Sequence, residues 1–298
     1  MHAGDLWILF SLASAFLQAS RIVVTKKLSL DFSSQALTFY TNLASLVLTL
    51  PLISRFHDFP LHNPHYLGAV LAGALFSGLG GWAFTYAIKH SDISIVGPVM
   101  TFTPGFVVLI EWLILGDVPS PTGLFGLGLL ITGGYILNLR RTDRHLWLPL
   151  QRLIQNRGSR FALIATACFA SAATFGRSAI QLSDPYSFAV TVAIVNPIML
   201  FLLFSIQAPG FQRELTGRAA RDNIGKLLLL GALFASMRLA DQIALSMTLA
   251  SYATGVKRMS GVFTVLLGMW LFKERSIKPR LLGSLVMIGG VYALTLVH

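Results

Sequence analysis

Two stretches of the chain, VVLIEWLILGDVPSPTGLFGLGLLITGGYILNL (residues 107–139) and TVLLGMWLFKERSIKPRLLGSLVMIGGVYALTL (residues 264–296), can be laid on one another without a gap. Gly126 then meets Gly283, Gly133 meets Gly290, Ile131 meets Ile288 and Tyr135 meets Tyr292. An acid, Asp117 or Glu274, stands at the same place in both. Upstream in the same register, Ala87 meets Ala244, Phe106 meets Phe263 and Val108 meets Val265. The tetrapeptide GALF recurs at 73–76 and 231–234 with one residue of slippage. Shared apolar composition gives chance matches of Leu and Val. Glycines, a tyrosine and an acid in register are much harder to obtain that way, so the chain is a duplicated unit.

Composition says what solvent the unit was built for. Of 298 residues, 54% are hydrophobic and only 12% charged, with mean hydropathy +0.69. Soluble domains carry about 25% charged residues, and a water-soluble chain of this size needs more polar surface to cover its core. Apolar runs of roughly the 20 residues that span a bilayer fall at 6–25, 34–53, 66–88, 93–116, 120–139, 161–182, 186–207, 225–247, 251–272 and 277–297. The first run has no basic segment before it and no small-x-small cleavage site before Arg21, so it reads as a retained span. The expected fold is all-α: a polytopic membrane protein with ten transmembrane helices in two five-helix repeats, 1–142 and 160–298, joined by a basic linker, 143–159. Within LRRTDRHLWLPLQRLIQNRGSR (139–160), Leu146, Trp147, Leu150, Leu153 and Ile154 among arginines fit either a short helix at the membrane surface or a solvated loop.

Charge orients the bundle. The net charge is +11, and nearly all loop Lys and Arg fall on odd-numbered connections. Arg140, Arg141, Arg144, Arg152, Arg157 and Arg160 lie between spans five and six, and Lys273, Arg275, Lys278 and Arg280 between nine and ten. Even-numbered connections and both termini hold only Arg55. The positive-inside rule places the odd connections in the cytoplasm and both termini on the periplasmic side of a bacterial inner membrane. Topology therefore accounts for the charge that would otherwise suggest nucleic acid. With five spans each, the second repeat enters the membrane upside down relative to the first, an arrangement many secondary transporters share.

The acid closing the fourth and ninth spans (LGD at 115–117, FKE at 272–274) precedes glycine-rich fifth and tenth spans (GLGLLITGGYIL at 126–137, GSLVMIGGVYAL at 283–294). In these features the chain resembles the EamA-type carriers of the drug/metabolite transporter superfamily. The resemblance implies a metabolite carrier whose central cavity is lined by both halves. It implies no particular substrate.

Five bases remain inside the spans, Arg21, Arg177, Arg238, Lys257 and Arg258, against the acids Glu111 and Asp241. A charge at a helix centre costs at least roughly 2.5–3.5 kcal/mol on insertion scales. Arg21 and Arg177 lie near span ends and could snorkel. Arg238 lies one turn before Asp241, a spacing that allows an ion pair. Lys257 and Arg258 have no acid on their own helix. Polar stripes at helical spacing say which way spans face: Ser11, Ser14, Gln18, Arg21 and Thr25 on span one; Ser171, Thr174, Arg177, Ser178 and Gln181 on span six; Arg238, Gln242 and Ser246 on span eight; Ser251, Thr254, Lys257, Arg258 and Gly261 on span nine. Stripes of Ser and Thr serve helix packing, and stripes with Arg and Gln favour a cavity. In span four Gly97, Pro98, Pro104 and Gly105, and in span nine Gly255 and Gly261, loosen the helices at matching positions.

The Lys257-Arg258 pair also resembles the Lys-Arg pair with which plastid sugar-phosphate translocators, distant members of the superfamily, hold the substrate phosphate. The flanking Thr254-Gly255-Val256 departs from the Gly-Asn element of those proteins. Lysine offers a compact charge and arginine a planar fork for two oxygens. The expected function is a secondary transporter of a small polar metabolite, anionic or phosphorylated, working by alternating access. The substrate-binding candidates are Lys257, Arg258, Arg238, Gln242, Arg21, Gln18, Arg177 and Tyr252. Glu111 and Asp241 are candidates for proton coupling or for charge partners. A carrier of amino acids or amphipathic cations would instead use Trp82, Tyr86 and Tyr252 as a cage. An intramembrane lipid-modifying enzyme would need a nucleophile with a partner base, and the serines have no histidine beside them. The expected partners are a small-molecule substrate and the bilayer, with no nucleic acid, metal or cofactor; a homodimer is left open. No P-loop is present to bind ATP.

Overall fold

The computed structural model describes residues 6–55, 60–91, 93–138, 157–208, 210–215, 217–272 and 278–297. Residues 143–156 of the expected linker, with the surface helix proposed there, and Glu274 lie outside the described residues. All regular structure among the described residues is helical: α1 (Leu6–Leu28), α2 (Ser34–Thr49), α3 (Pro64–His90), α4 (Ile93–Met100), α5 (Thr103–Leu115), α6 (Pro121–Asn138), α7 (Arg157–Gln181), α8 (Pro185–Gln207), α9 (Phe211–Leu215), α10 (Arg218–Asp222), α11 (Ile224–Met247), α12 (Ala250–Lys257), α13 (Ser260–Phe272) and α14 (Lys278–Thr295). Every apolar run expected to span forms helix among its described residues. Two of them are broken, 93–116 into α4 and α5 and 251–272 into α12 and α13. Among the described residues five helices, α1, α3, α7, α8 and α11, are long and apolar enough to cross a membrane.

The local sequence sets the helix ends. Asp184 accepts from the amides of Tyr186 and Ser187, at 2.8 and 3.0 Å, with Pro185 opening α8. Asn63 does the same for α3 ahead of Pro64. An N-cap side chain supplies the acceptor that the first-turn amides lack, and proline needs none. Gly116 ends α5 in the left-handed region at φ 74, where a Cβ would be strained.

The surface is inverted relative to a soluble protein. Leu71, Leu113, Phe125, Ile198, Leu202, Leu229 and Leu285 are each more than half exposed. Ser11, Ser14, Thr38, Asn42, Ser45, Thr174 and Asn196 are buried. Large apolar side chains on nearly every helix, facing out, fit a lipid surround.

The two repeats pack through reciprocal pairs. α3 of the first lies on α7 of the second, and α1 lies on α11, the same pair with the repeats exchanged. Likewise α5 packs on α7 and α1 on α13, α4 on α7 and α1 on α12, and α2 on α11 and α3 on α8. The helices α2 and α8, and α6 and α14, which are each other's counterparts, pack together directly. Such exchange is what a pseudo-two-fold axis between the repeats produces.

The aligned glycines lie at the α6–α14 contact. A Cβ on Gly133 would stand 2.8 Å from the Gly283 carbonyl oxygen, and one on Gly283 would stand 2.7 Å from that of Gly133. Gly126 and Gly290 have the same reciprocal relation, at 3.0 and 2.8 Å. Gly128 and Gly289, on the same helices, have nothing within 4 Å. Alanine at Gly133 or Gly283 must therefore push the helices apart and lower stability by about 1–3 kcal/mol. Alanine at Gly128 or Gly289 leaves it unchanged or slightly raised. Thermal denaturation of the four variants in detergent checks the contrast.

Candidate functional site

The two broken helices create the centre of the site. Pro104 has no amide hydrogen, so the Met100 carbonyl loses its helical partner. That oxygen accepts instead from the Thr103 hydroxyl at 2.7 Å and from Nη1 of Arg258 at 3.0 Å. Arg258 itself sits in the other break, between α12 and α13, where the chain tightens: its amide bonds to the Gly255 carbonyl at 3.0 Å and that of Met259 to Val256 at 2.9 Å. Thr101-Phe102 and Arg258-Met259, the two pairs that form the turns at the breaks, are equivalent positions in the repeat. One break thus binds the other across the repeats.

A cavity of about 160 Å³ opens beside this contact. It is lined from both repeats by α1 (Gln18, Arg21, Thr25), α2 (Thr38, Thr41, Asn42), α3 (Ser77, Phe84, Thr85), α7 (Phe169, Ala173, Gly176), α8 (Phe188, Val192), α11 (Phe234, Arg238, Asp241, Gln242) and the α12 end (Thr254, Lys257, Arg258). Four cations face one carboxylate. Asp241 on α11 pairs with Lys257 and accepts from the Ser14 hydroxyl at 2.5 Å. Among the described residues no carboxylate pairs with Arg21, Arg238 or Arg258.

Neutral groups hold those three. Arg238 donates to Asn42 Oδ1 at 3.3 Å. With the Asn196 amide oriented by its neighbours, the same guanidinium reaches Asn196 Oδ1 at 3.0 Å, and Asn196 in turn bonds Ser77 and the Ala74 carbonyl. Arg21 and Arg238 share the Phe234 ring, at 4.9 and 4.6 Å from its centroid, and Arg21 also lies 5.6 Å from Phe84. Amides, carbonyls and rings orient a cation without cancelling its charge.

Structure and sequence differ over several candidates. Arg177 does not face the cavity or snorkel. It pairs with Glu111 at 3.2 Å and with Asp117. Glu111 is fully buried and also accepts from the amides of Ala250 at 2.7 Å and Ser251 at 3.0 Å. It thereby caps α12, whose own N-cap residue, Leu249, supplies no side-chain bond, and a carboxylate at a helix N-terminus is stabilised by the dipole. Tyr252 also lies outside the cavity. Its ring packs near Trp7 at 6.4 Å and its hydroxyl accepts from the Ser120 amide at 3.0 Å. Arg177 and Tyr252 instead line a second recess, at the bundle end that carries Ser120 and Thr248. Asp241 takes Lys257 rather than Arg238, because α12 brings the ammonium to it across the helix pair. Within the span-six stripe, the Ser171 and Thr174 hydroxyls donate to the carbonyls of Ala167 and Ala170 on their own helix. The aromatic cage does not form, since Trp82 packs on Phe161 and Phe204, Tyr86 on His90 and Phe161, and Tyr252 near Trp7.

Gln18, Arg21, Arg238, Gln242, Lys257 and Arg258 do meet at one cavity. Asn42, Asn196, Phe234 and the Met100 carbonyl, which hold the arginines there, were not foreseen. The run Ser34, Thr38, Thr41, Ser45, Thr49 on α2 carried that signal, since all five are buried on one face.

A duplicated helical membrane protein with a cation-lined cavity between its repeats has the build of a carrier. The sequence profile of the EamA-like transporter family matches residues 5–139 and 156–296, and the chain belongs to that family. A solved structure described as "Crystal structure of protein" is similar in fold, with a TM-score of 0.68 at 14% sequence identity, covering 98% of this chain and 97% of that one. No curated protein matches the sequence.

Glu111 and Asp117 should differ sharply in importance. Glu111→Gln leaves Arg177 short of a buried partner and weakens the α12 cap, at a cost of about 3 kcal/mol. The Asp117 side chain is 36% exposed, so Asp117→Asn should cost less than about 1 kcal/mol. Denaturation of both variants in one detergent gives the comparison.

Proposed function

We propose that the protein is a secondary carrier for a small organic anion, a phosphate ester or carboxylate, and that it works by alternating access. The observation that carries this is the convergence of Arg21, Arg238, Lys257 and Arg258 on one cavity with Asp241 as its sole described acid. Unmatched positive charge in an apolar surround is costly, and a bound anion relieves it. One nitrogen each of Arg21, Arg238 and Arg258, and the side-chain oxygens of Gln18 and Gln242, are buried without a hydrogen-bond partner. Buried polar atoms are normally satisfied, so these mark where cargo oxygens and hydroxyls would bind. Phe84, Phe169 and Phe188 suit its carbon portion.

In this proposal ten spans form two inverted five-helix repeats, 1–142 and 160–298, with both termini on the periplasmic face of an inner membrane. The reciprocal packing and the two matched family segments support it. Exchanging the two repeats would turn a cavity facing one side into its counterpart facing the other. The phosphate preference rests on lysine and arginine side by side at the α12 break, a pairing suited to a tetrahedral anion.

Purified protein should melt at higher temperature with sugar phosphates than with amino acids, gaining about 2.7 kcal/mol at a hundredfold excess over Kd. Arg238→Gln and Arg258→Gln should each abolish that gain and the uptake of the stabilising compound into proteoliposomes, while the unliganded proteins remain folded. Stabilisation by amino acids alone, or normal uptake by both variants, would show that the cargo is not an anion held by these arginines.

A further inference from the structure

An anion held as proposed above accounts for only one side of the central cavity. The orphan polar atoms of its described lining, on Gln18, Arg21, Arg238, Gln242 and Arg258, all belong to α1, α11 and the end of α12. To the same described lining α7 and α8 give Phe169, Ala172, Ala173, Gly176, Phe188 and Val192, without one side-chain donor or acceptor. Polar residues of these two helices are occupied elsewhere. Thr191 donates to the Ser187 carbonyl and bonds the Tyr66 hydroxyl. Thr174 donates to the Ala170 carbonyl, and the Asn196 amide is taken by Ser77, Ala74 and Arg238.

Phe188 reaches this wall between two glycines. A Cβ on Gly176 would stand 3.2 Å from the Phe188 ring, and one on Gly73 would stand 3.7 Å from it. With Val192, Leu245 and Ala253 the ring belongs to a buried apolar cluster that extends beyond the cavity to Tyr66 and Val107. A hydroxyl pressed against such a wall loses its water and gains no partner. An apolar group there gains by burial. The cavity's volume of about 160 Å³ limits the size of that group, since an apolar cavity of about 150 Å³ holds one benzene. Gln18 and Gln242 lie one helical turn from Arg21 and Arg238, on the charged side. Any hydroxyl that their oxygens accept from therefore adjoins the anionic head.

Resting on that anion site, we propose that the cargo is an amphipathic anion. Its phosphate or carboxylate head lies among Arg21, Arg238, Lys257 and Arg258, and a compact apolar body, no larger than about one six-membered ring, lies against α7 and α8. The cations admit the charge, and the wall decides what is attached to it. A polyol with the same head is a weaker ligand, because its hydroxyls meet side chains that cannot bond them.

Methyl phosphate, phenyl phosphate and glucose 1-phosphate share one head and differ in body. Acetate and phenylacetate repeat the contrast with a carboxylate. Calorimetry of the full-length protein in detergent measures the affinities. Phenyl phosphate should bind about 10- to 100-fold more tightly than methyl phosphate, the gain from burying one ring. A similar factor should separate phenylacetate from acetate. Glucose 1-phosphate should bind roughly tenfold more weakly than phenyl phosphate. Ala173→Leu extends the α7 wall into the space for the body and should erase the advantage of phenyl over methyl phosphate. Arg258→Gln should weaken all three phosphates. Glucose 1-phosphate binding as tightly as phenyl phosphate, equal affinities within either phenyl and methyl pair, or an undiminished phenyl advantage in Ala173→Leu overturns the amphipathic cargo and leaves the anion site standing. Failure of every one of these anions to bind overturns the anion site itself.

Discussion

A carbonyl that has lost its helical partner must find another donor when no water is near. Pro104 creates that need at Met100, and Arg258 meets it from the equivalent break in the other repeat. This bond fixes where the guanidinium of Arg258 sits, and with it the end of α12 that carries Lys257. The other end of α12 is tied as firmly, by the buried Glu111 carboxylate on its first amides. A helix of eight residues is too short to be stable alone. It is held in place by the first repeat at both ends, which is why it can present two adjacent charges to the cavity.

The five intramembrane bases fall into three groups by what holds them. Arg177 is matched by two carboxylates and belongs to the frame around α12. Lys257 is matched by Asp241 on the neighbouring helix. Arg21, Arg238 and Arg258 are oriented by amides, a carbonyl and aromatic rings. The last group has lost its freedom but none of its charge. Orientation by neutral groups keeps a cation available to a ligand, whereas orientation by carboxylates uses it up.

The same symmetry relates packing and site. Cross-repeat helix pairs occur in exchanged duplicate, and the breaks in α4–α5 and α12–α13 fall at one repeat position. The chemistry at those positions is nevertheless different: Thr101-Phe102 in one, Arg258-Met259 in the other. Duplication supplied the geometry, and divergence placed Arg238, Lys257 and Arg258 in the second repeat, where they line one cavity with Arg21 of α1 and the neutral polar side chains of α2 and α3.

The sequence alone determined the membrane class, the helical runs, the duplication and the excess of buried positive charge. These follow from local composition and from matches along one chain, and neither requires knowing which helices touch. It also brought out Gln18, Arg21, Arg238, Gln242, Lys257 and Arg258, because polar stripes at helical spacing reveal the face that avoids lipid. Only the tertiary structure decided the partners. Whether Asp241 takes Arg238 one turn away or Lys257 on another helix depends on how α11 and α12 lie together. The loop acid Asp117 became a partner of Arg177 only because the end of α5 lies beside α7. A side chain's spacing fixes its direction on its own helix, but the charge it meets belongs to a helix distant in sequence, and that meeting is made by packing.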